Sequence, residues 1–479
     1  MAAHPRPIRR GVRLLSRSAP GFGAPTPSGR SLWADEAGPA PARPPLDGDT
    51  QVDVAIVGGG YTGLWTAWYL LAREPGLRVV VIEREQVGFG ASGRNGGWCV
   101  GELAAGFDSL AEIGGTDGAV RQIRAMHETV DEVGRAVGAE GIDCGFTRGG
   151  TVRLARNGAQ LARQREEVDH ERARGFGPEV LRLLDRDEAI ARVGATDVRG
   201  GLFFAPTAVV QPLRLVRGLA DAVERRGGRI VEATAARELA PGLVATDRGD
   251  VRADVVVRAT EGYTPGLAGE GRRLLPLYSL MVATEPLSSD QWEAVGLAHR
   301  ETFADDRHLV IYGQRTADGR IAFGGRGAPY AYGSGIDASV ESSSRIHGQV
   351  AATIRELFPV LDDLGVTHRW GGVLGVPRDW VPSVGLDRST GLAWAGGYVG
   401  EGVAASNLAG RTLADLVTGT DSPITDLPWV GHRSPRWEPE PLRWMAINAG
   451  LAMSASADRA EARTDRQSWQ GRALSWLIG

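Results

Sequence analysis

Val52-Asp53-Val54-Ala55-Ile56-Val57-Gly58-Gly59-Gly60-Tyr61-Thr62-Gly63 opens a segment that runs through a helical stretch to Arg78-Val79-Val80-Val81-Ile82-Glu83-Arg84. It reads as strand, glycine turn, helix, strand and acid. Gly58 permits a tight turn, Gly60 lets backbone approach a pyrophosphate, and Gly63 allows the helix to lie close on the first strand. The first helical residues, Tyr61 and Thr62, would present free N–H groups and the positive end of a helix dipole to phosphates. Glu83 follows Gly63 by twenty residues, the spacing that delivers a carboxylate to an adenosine ribose, with Arg84 beside it. All of these residues are candidates for binding a dinucleotide.

Directly after the second strand comes Gly88-Phe89-Gly90-Ala91-Ser92-Gly93-Arg94-Asn95-Gly96-Gly97-Trp98-Cys99, with five glycines in ten residues. Small residues allow backbone to press against a ligand. Ala91, Ser92, Arg94, Asn95, Gly96 and Gly97 are therefore expected to run along the pyrophosphate, with Arg94 supplying charge and Ser92 and Asn95 hydrogen bonds. A third glycine turn, Gly396-Gly397-Tyr398-Val399-Gly400-Glu401-Gly402, lies far along the chain and again precedes a helical pattern. A second helix N-terminus aimed at the same site suits the polar edge of a flavin, so Gly397, Val399, Gly400 and Gly402 join the cofactor-binding candidates.

Composition narrows the chemistry. The 479 residues carry a formal net charge of −4, which offers no basic surface for nucleic acid. All 54 basic residues counted together as Lys and Arg are arginine, so neither a Schiff-base lysine nor a phosphate-binding lysine can exist here. Cys99 and Cys144 have no spacing for a disulfide framework, zinc or dithiol chemistry, and no metal site is expected. The eight histidines fall outside the glycine motifs. No apolar run reaches the length of a membrane-spanning helix, and a cytoplasmic location is expected. The Pro-, Arg- and Ser-rich stretch up to Arg30 reads as a disordered leader. Arg9-Arg10 lacks the apolar segment of an export signal.

The three glycine-rich motifs resemble those of the FAD-dependent D-amino-acid oxidase-like family, nearest its gamma-glutamylputrescine oxidoreductase branch, from about Val52 to Gly419. Ala259-Thr260-Glu261-Gly262 and Asp379, Pro382 and Gly385 are similar to further family segments. Glu261 departs from the pattern by placing an acid where the family has a neutral residue. The resemblance implies an α/β fold: a discontinuous Rossmann-like FAD-binding domain with a second α+β substrate domain built on an antiparallel sheet. Residues 1–45 would be leader and linker. Residues 46–145, 206–270 and 369–419 would form the FAD-binding domain, 146–205 and 271–368 the substrate domain, and 420–479 a C-terminal extension. That extension, rich in tryptophan, is expected to pack against the FAD-binding domain or a second subunit, with Trp444 to Ala457 as a packed helix.

The implied activity is oxidation of a carbon–nitrogen bond in an amine or amino acid, by hydride transfer to non-covalently held FAD and hydrolysis of the imine. Arg326, beside glycines on a roof strand, could clamp a substrate anion. Tyr278, Tyr330 and Tyr398 are the other candidates for the substrate pocket. Cys99 does not match the position used by relatives that attach flavin covalently. Some related oxidases use a lysine to activate oxygen, so its absence leaves oxygen or another electron acceptor open. The alternatives are an FAD-dependent hydroxylase, whose third motif usually reads differently, and a non-catalytic flavoprotein subunit.

Overall fold

The structure, a computed structural model, describes residues 31–325, 327, 330–336, 338–341 and 343–478. The expected leader and Arg326 lie outside the described residues.

Runs rich in valine and isoleucine, unbroken in Val79–Ile82, build the first sheet from strands buried on both faces. β1 (Thr50–Val57), β2 (Val79–Ile82), β3 (Arg229–Val231), β4 (Asp250–Arg258), β5 (Ser383–Asp387) and β6 (Leu392–Gly396) lie in the order β5-β6-β4-β1-β2-β3. Every neighbouring pair is parallel except β5 with β6. All four residues of β2 are buried, as are Val54 to Val57 of β1. Two helices cover one face, α1 (Tyr61–Arg73) directly after β1 and α2 (Gly402–Thr418) directly after the third glycine turn. They cross closely because Gly410 has no side chain: a Cβ there would stand 2.7 Å from that of Trp65. The two segments separated by most of the chain thus share one core.

A second sheet orders its strands Val366–Val376, Leu275–Thr284, Ile321–Gly325, Ile311–Arg315, Thr302–Asp305, Thr151–Ala155, Gly200–Phe204 and Leu181–Leu184. The fold is therefore the expected α/β arrangement with a second, largely antiparallel sheet. One pair departs from the expectation: Thr302–Asp305 runs parallel to Thr151–Ala155. Those strands are distant in the chain, so no hairpin imposes an antiparallel direction.

The tail beyond Thr420 packs against both layers. Trp429 is buried in the core shared by α1 and α2, while Trp437 packs among Leu275, Leu277, Val376 and Val399. The helix Leu442–Thr464 is less buried than its uncharged stretch from Trp444 to Ala457 suggests, because it docks through polar contacts. Asp458 accepts hydrogen bonds from the backbone N–H groups of His308 and Leu309, and Glu461 binds Arg163 and His308. Trp444 stays 41% exposed. Among the described residues, no helix is long and apolar enough to cross a membrane.

Candidate cofactor and substrate site

A cavity of about 650 Å³ opens where β1, β2 and β4 end. This is where ligands bind in open α/β sheets, outside the carboxyl ends of the strands. Its walls come from all three glycine motifs and, on the far side, from the second sheet through Tyr278, Val373 and Leu374.

The first turn is shaped by close backbone contacts. A Cβ on Gly63 would lie 2.1 Å from the carbonyl oxygen of Gly58, and one on Gly58 would lie 2.3 Å from that of Ala259. Gly58 also has φ of +119°, which L-residues with side chains rarely adopt. Gly60 is the N-cap of α1 and brings no side chain to the helix end. The Ser92 hydroxyl instead accepts from the Tyr61 N–H at 2.9 Å. The acid is fixed with equal definition. One Glu83 oxygen accepts from the Gly59 N–H at 2.7 Å, the other from the Glu85 N–H at 2.9 Å. Burial raises the Glu83 carboxyl above its ordinary range, against the pull of those two donors.

The third turn holds unusual backbone. Gly397 and Gly400 have φ of +84° and +112°, and β-branched Val399 has φ of +56°. Such a conformation in a branched residue persists only where surrounding packing imposes it. Here Val399 is buried beside Trp437 of the tail. Glu261, the departure noted in the sequence, ties this turn to the turn that follows β4. Its two carboxylate oxygens accept from the N–H groups of Gly397 (2.8 Å) and Tyr398 (3.2 Å). Burial lifts its pKa to about 7, although these donors, the Gly375 N–H and Arg258 pull the other way. α2 starts immediately beyond, with no side chain capping its N-terminus.

The expected site residues fall into two groups. Gly58, Gly60, Tyr61, Thr62, Glu83, Arg84, Ala91, Ser92, Asn95, Tyr278, Tyr398, Gly400 and Gly402 line the cavity. Gly63, Gly96, Gly97, Gly397 and Val399 stand behind its walls. Gly97, for example, packs where a Cβ would meet Gln314 at 2.1 Å. Two expectations for the glycine-rich loop change. Arg94 spends its charge on Glu341, at 2.7 Å, rather than facing a phosphate. Asn95 uses its amide inside the loop, donating to the carbonyls of Ala91 and Ser92 and accepting from the Gly97 N–H. Tyr330 also lies behind the wall, its hydroxyl donating to Glu440 at 2.9 Å. Tyr398 does face the cavity, its hydroxyl 3.1 Å from that of Thr62. Cys99 is fully buried on the short strand Trp98–Val100 and lies outside the cavity lining, and burial pushes its thiol up.

Two lining residues had no motif to announce them. Tyr263, in the turn after β4, is pushed up to about 12 by burial. Glu341 comes from a segment without glycine pattern or periodicity, and its carboxyl is raised by burial despite Arg94. Only its pairing with Arg94 in space gives it a place in the site.

The family model described as FAD dependent oxidoreductase (DAO) matches residues 53–416. The chain belongs to this family. Gamma-glutamylputrescine oxidoreductase of Escherichia coli is 32% identical over 377 residues, covering 77% of this chain and 84% of that protein. Among solved structures, glycine oxidase from Geobacillus kaustophilus aligns with a TM-score of 0.67 at 20% identity, covering 80% of this chain and 99% of that one. L-proline dehydrogenase from P. horikoshii aligns with a TM-score of 0.65 at 19% identity, over 80% and 98% of the respective chains. These structural neighbours share the fold.

The residues present fit FAD. The glycine cradle at Gly58 and Gly60, the Glu83 carboxylate and two helix N-termini whose N-cap residues make no side-chain cap supply what a dinucleotide needs, with the Ser92 hydroxyl already on the Tyr61 N–H. The cavity volume lies within the range of ligand sites, roughly 300–1,000 Å³. Gly58, Gly60 and Glu83 would hold the adenosine diphosphate half, with Gly400, Gly402 and the start of α2 serving the flavin. The buried Cys99 is in keeping with non-covalent binding. This DAO-family chain is an FAD-dependent oxidoreductase.

Proposed function

We propose that the protein oxidises the carbon–nitrogen bond of a small amine or amino acid. The observation that carries this reading is the single cavity that joins the dinucleotide cradle to the second sheet, where Tyr278, Val373 and Leu374 meet Glu341. FAD, when bound, would supply the electron acceptor for loss of a hydride from the carbon beside a neutral amine; hydrolysis of the resulting imine by water would give a carbonyl compound and ammonia or an amine.

The chain's own residues orient the substrate and limit its access to water. The apolar faces of Val373 and Leu374 lower the local dielectric, which favours the neutral amine required for hydride loss. Glu341, made more basic by burial, offers a carboxylate that can take the proton from an incoming ammonium group. Arg94 fixes that carboxylate from behind. The Thr62–Tyr398 hydroxyl pair joins the first and third glycine motifs at the cavity.

The test is the anaerobic visible spectrum of the yellow protein, titrated with polyamines, N-methyl amino acids, D-amino acids and aminophosphonates. Bleaching by one class supports the reading and defines the substrate group. Readmitting air then separates an oxidase from an enzyme using another acceptor, a choice sharpened by the absence of lysine from the sequence. Failure of every amine to bleach the flavin would refute the reading and favour a hydroxylase or a non-catalytic flavoprotein.

A further inference from the structure

The family match ends at residue 416, yet the chain beyond it reaches back to a segment that forms part of the cavity wall. Gly333, Ser334 and Ile336 form part of the cavity wall. The segment carrying them has no strand or long helix of its own to hold it, only a single turn at Tyr332–Ser334. Its anchor is Glu440. One oxygen of that carboxylate accepts from the Tyr330 hydroxyl at 2.9 Å and from the Gly333 N–H at 3.0 Å. The Tyr330 hydroxyl in turn accepts from the Ser334 N–H at 2.9 Å. Two residues that face the cavity are thereby fixed through their backbone to a side chain of the tail.

Glu440 is itself held firmly. Arg443 donates to it through Nε and Nη2 at 3.2 and 3.0 Å, and the Trp444 N–H donates to its other oxygen at 3.0 Å. The Glu440 and Arg443 side chains are only 12% and 5% exposed, so this pair is screened little by water. The Arg443 guanidinium also lies over the Tyr330 ring, 5.6 Å from its centre. Upstream, Trp437 donates from Nε1 to the Val376 carbonyl at 2.8 Å and from its backbone N–H to the Arg272 carbonyl, while the Arg272 side chain donates from Nε to the Trp437 carbonyl, which fixes where Glu440 emerges.

We propose that Glu440 is a positioning residue for the substrate. Its carboxylate holds residues 330–336 in the arrangement that completes the cavity wall, so the C-terminal tail sets substrate affinity and range. This rests on the amine-oxidation reading above. Substrate affinity should depend on Glu440 while the chemical step does not, because no atom of Glu440 lines the cavity.

The experiment compares full-length, FAD-loaded wild type with Glu440→Ala, Glu440→Gln and Tyr330→Phe, the last keeping the ring in its apolar cluster. Hydrogen exchange across residues 330–336 needs no substrate. It should accelerate at least about tenfold in Glu440→Ala, less in Glu440→Gln, which keeps one acceptor oxygen, while residues 58–63 exchange as in wild type. With the amine that bleaches wild type best, KM should rise about tenfold, with kcat and the anaerobic bleaching rate at saturation within about twofold. Unchanged exchange would overturn the proposal by itself. Faster exchange with unchanged KM would overturn it too, showing that the segment does not bear on substrate. If no amine bleaches any form, the amine-oxidation reading falls first, and the substrate role of Glu440 falls with it.

Discussion

Replacing Glu261 with glutamine tests whether a buried acid couples the turn after β4 to the third glycine turn. In the wild type, burial raises the Glu261 pKa from 4.5 to about 7 against the opposing pull of the Arg258 guanidinium, with Tyr398 beside it. The folded protein therefore holds this proton more tightly than the unfolded chain. The associated stability is complete below pH 4.5 and is lost as the pH rises through about 7. At about 1.4 kcal/mol per pH unit, the loss between pH 5 and pH 8 amounts to about 2.5 kcal/mol. Glutamine has no such titration, but it sets an NH2 group against one of the two N–H donors, at a cost of roughly 1–3 kcal/mol. At pH 5 the variant should unfold at the wild-type temperature or below it. By pH 8 the difference should have moved in the variant's favour by about 5 °C, taking about 2 °C per kcal/mol for a chain of this size. Thermal unfolding of flavin-free protein in steps from pH 5 to pH 8 measures this directly. Other acids raised to about 7, Glu36 and Glu102, contribute equally to both proteins and cancel in the difference. A difference in Tm that stays constant across the range would refute the reasoning, because Glu261 would then titrate alike in the folded and unfolded states.

Gly63→Ala should purify without yellow colour, since its Cβ would need the space of the Gly58 carbonyl and would push α1 off the cradle; stoichiometric flavin absorbance in the variant would contradict this. Acid precipitation of the wild type should release all flavin into the supernatant, because Cys99 is buried away from the cavity, and flavin retained in the pellet would show a covalent link. Glu461→Gln should loosen the docking of the helix Leu442–Thr464 at neutral pH, read as faster proteolysis within it. Despite burial, hydrogen bonds from His308 and Arg163 hold Glu461 down at about 2. The contribution present above pH 4.5 is therefore lost as pH falls towards 2, and the variant should converge on wild type in that window.

Much of the site was legible because local sequence dictates local geometry. Gly58, Gly60 and Gly63 are required by contacts within one strand–turn–helix unit, and Glu83 follows from the length of the connecting helix. The run from Val79 to Ile82 can only be a strand buried on both faces, and the third turn announces itself by its glycines and the helix that follows. Arg94 shows where such reading stops. Its position in a glycine-rich loop suggested a phosphate partner, but its partner, Glu341, arrives from a distant segment with no motif. Tyr330, a pocket candidate by sequence, gives its hydroxyl to the tail instead.

The sequence by itself determined the dinucleotide cradle, the α/β class and the exclusion of lysine chemistry, because each depends on residue identity and short-range spacing. Tertiary structure alone decided which side chains face the cavity, that Glu261 stitches two turns together, and that the tail fixes part of the wall. Those outcomes depend on pairings between residues more than a hundred positions apart, where a carboxylate takes whichever donors the packed core brings within reach.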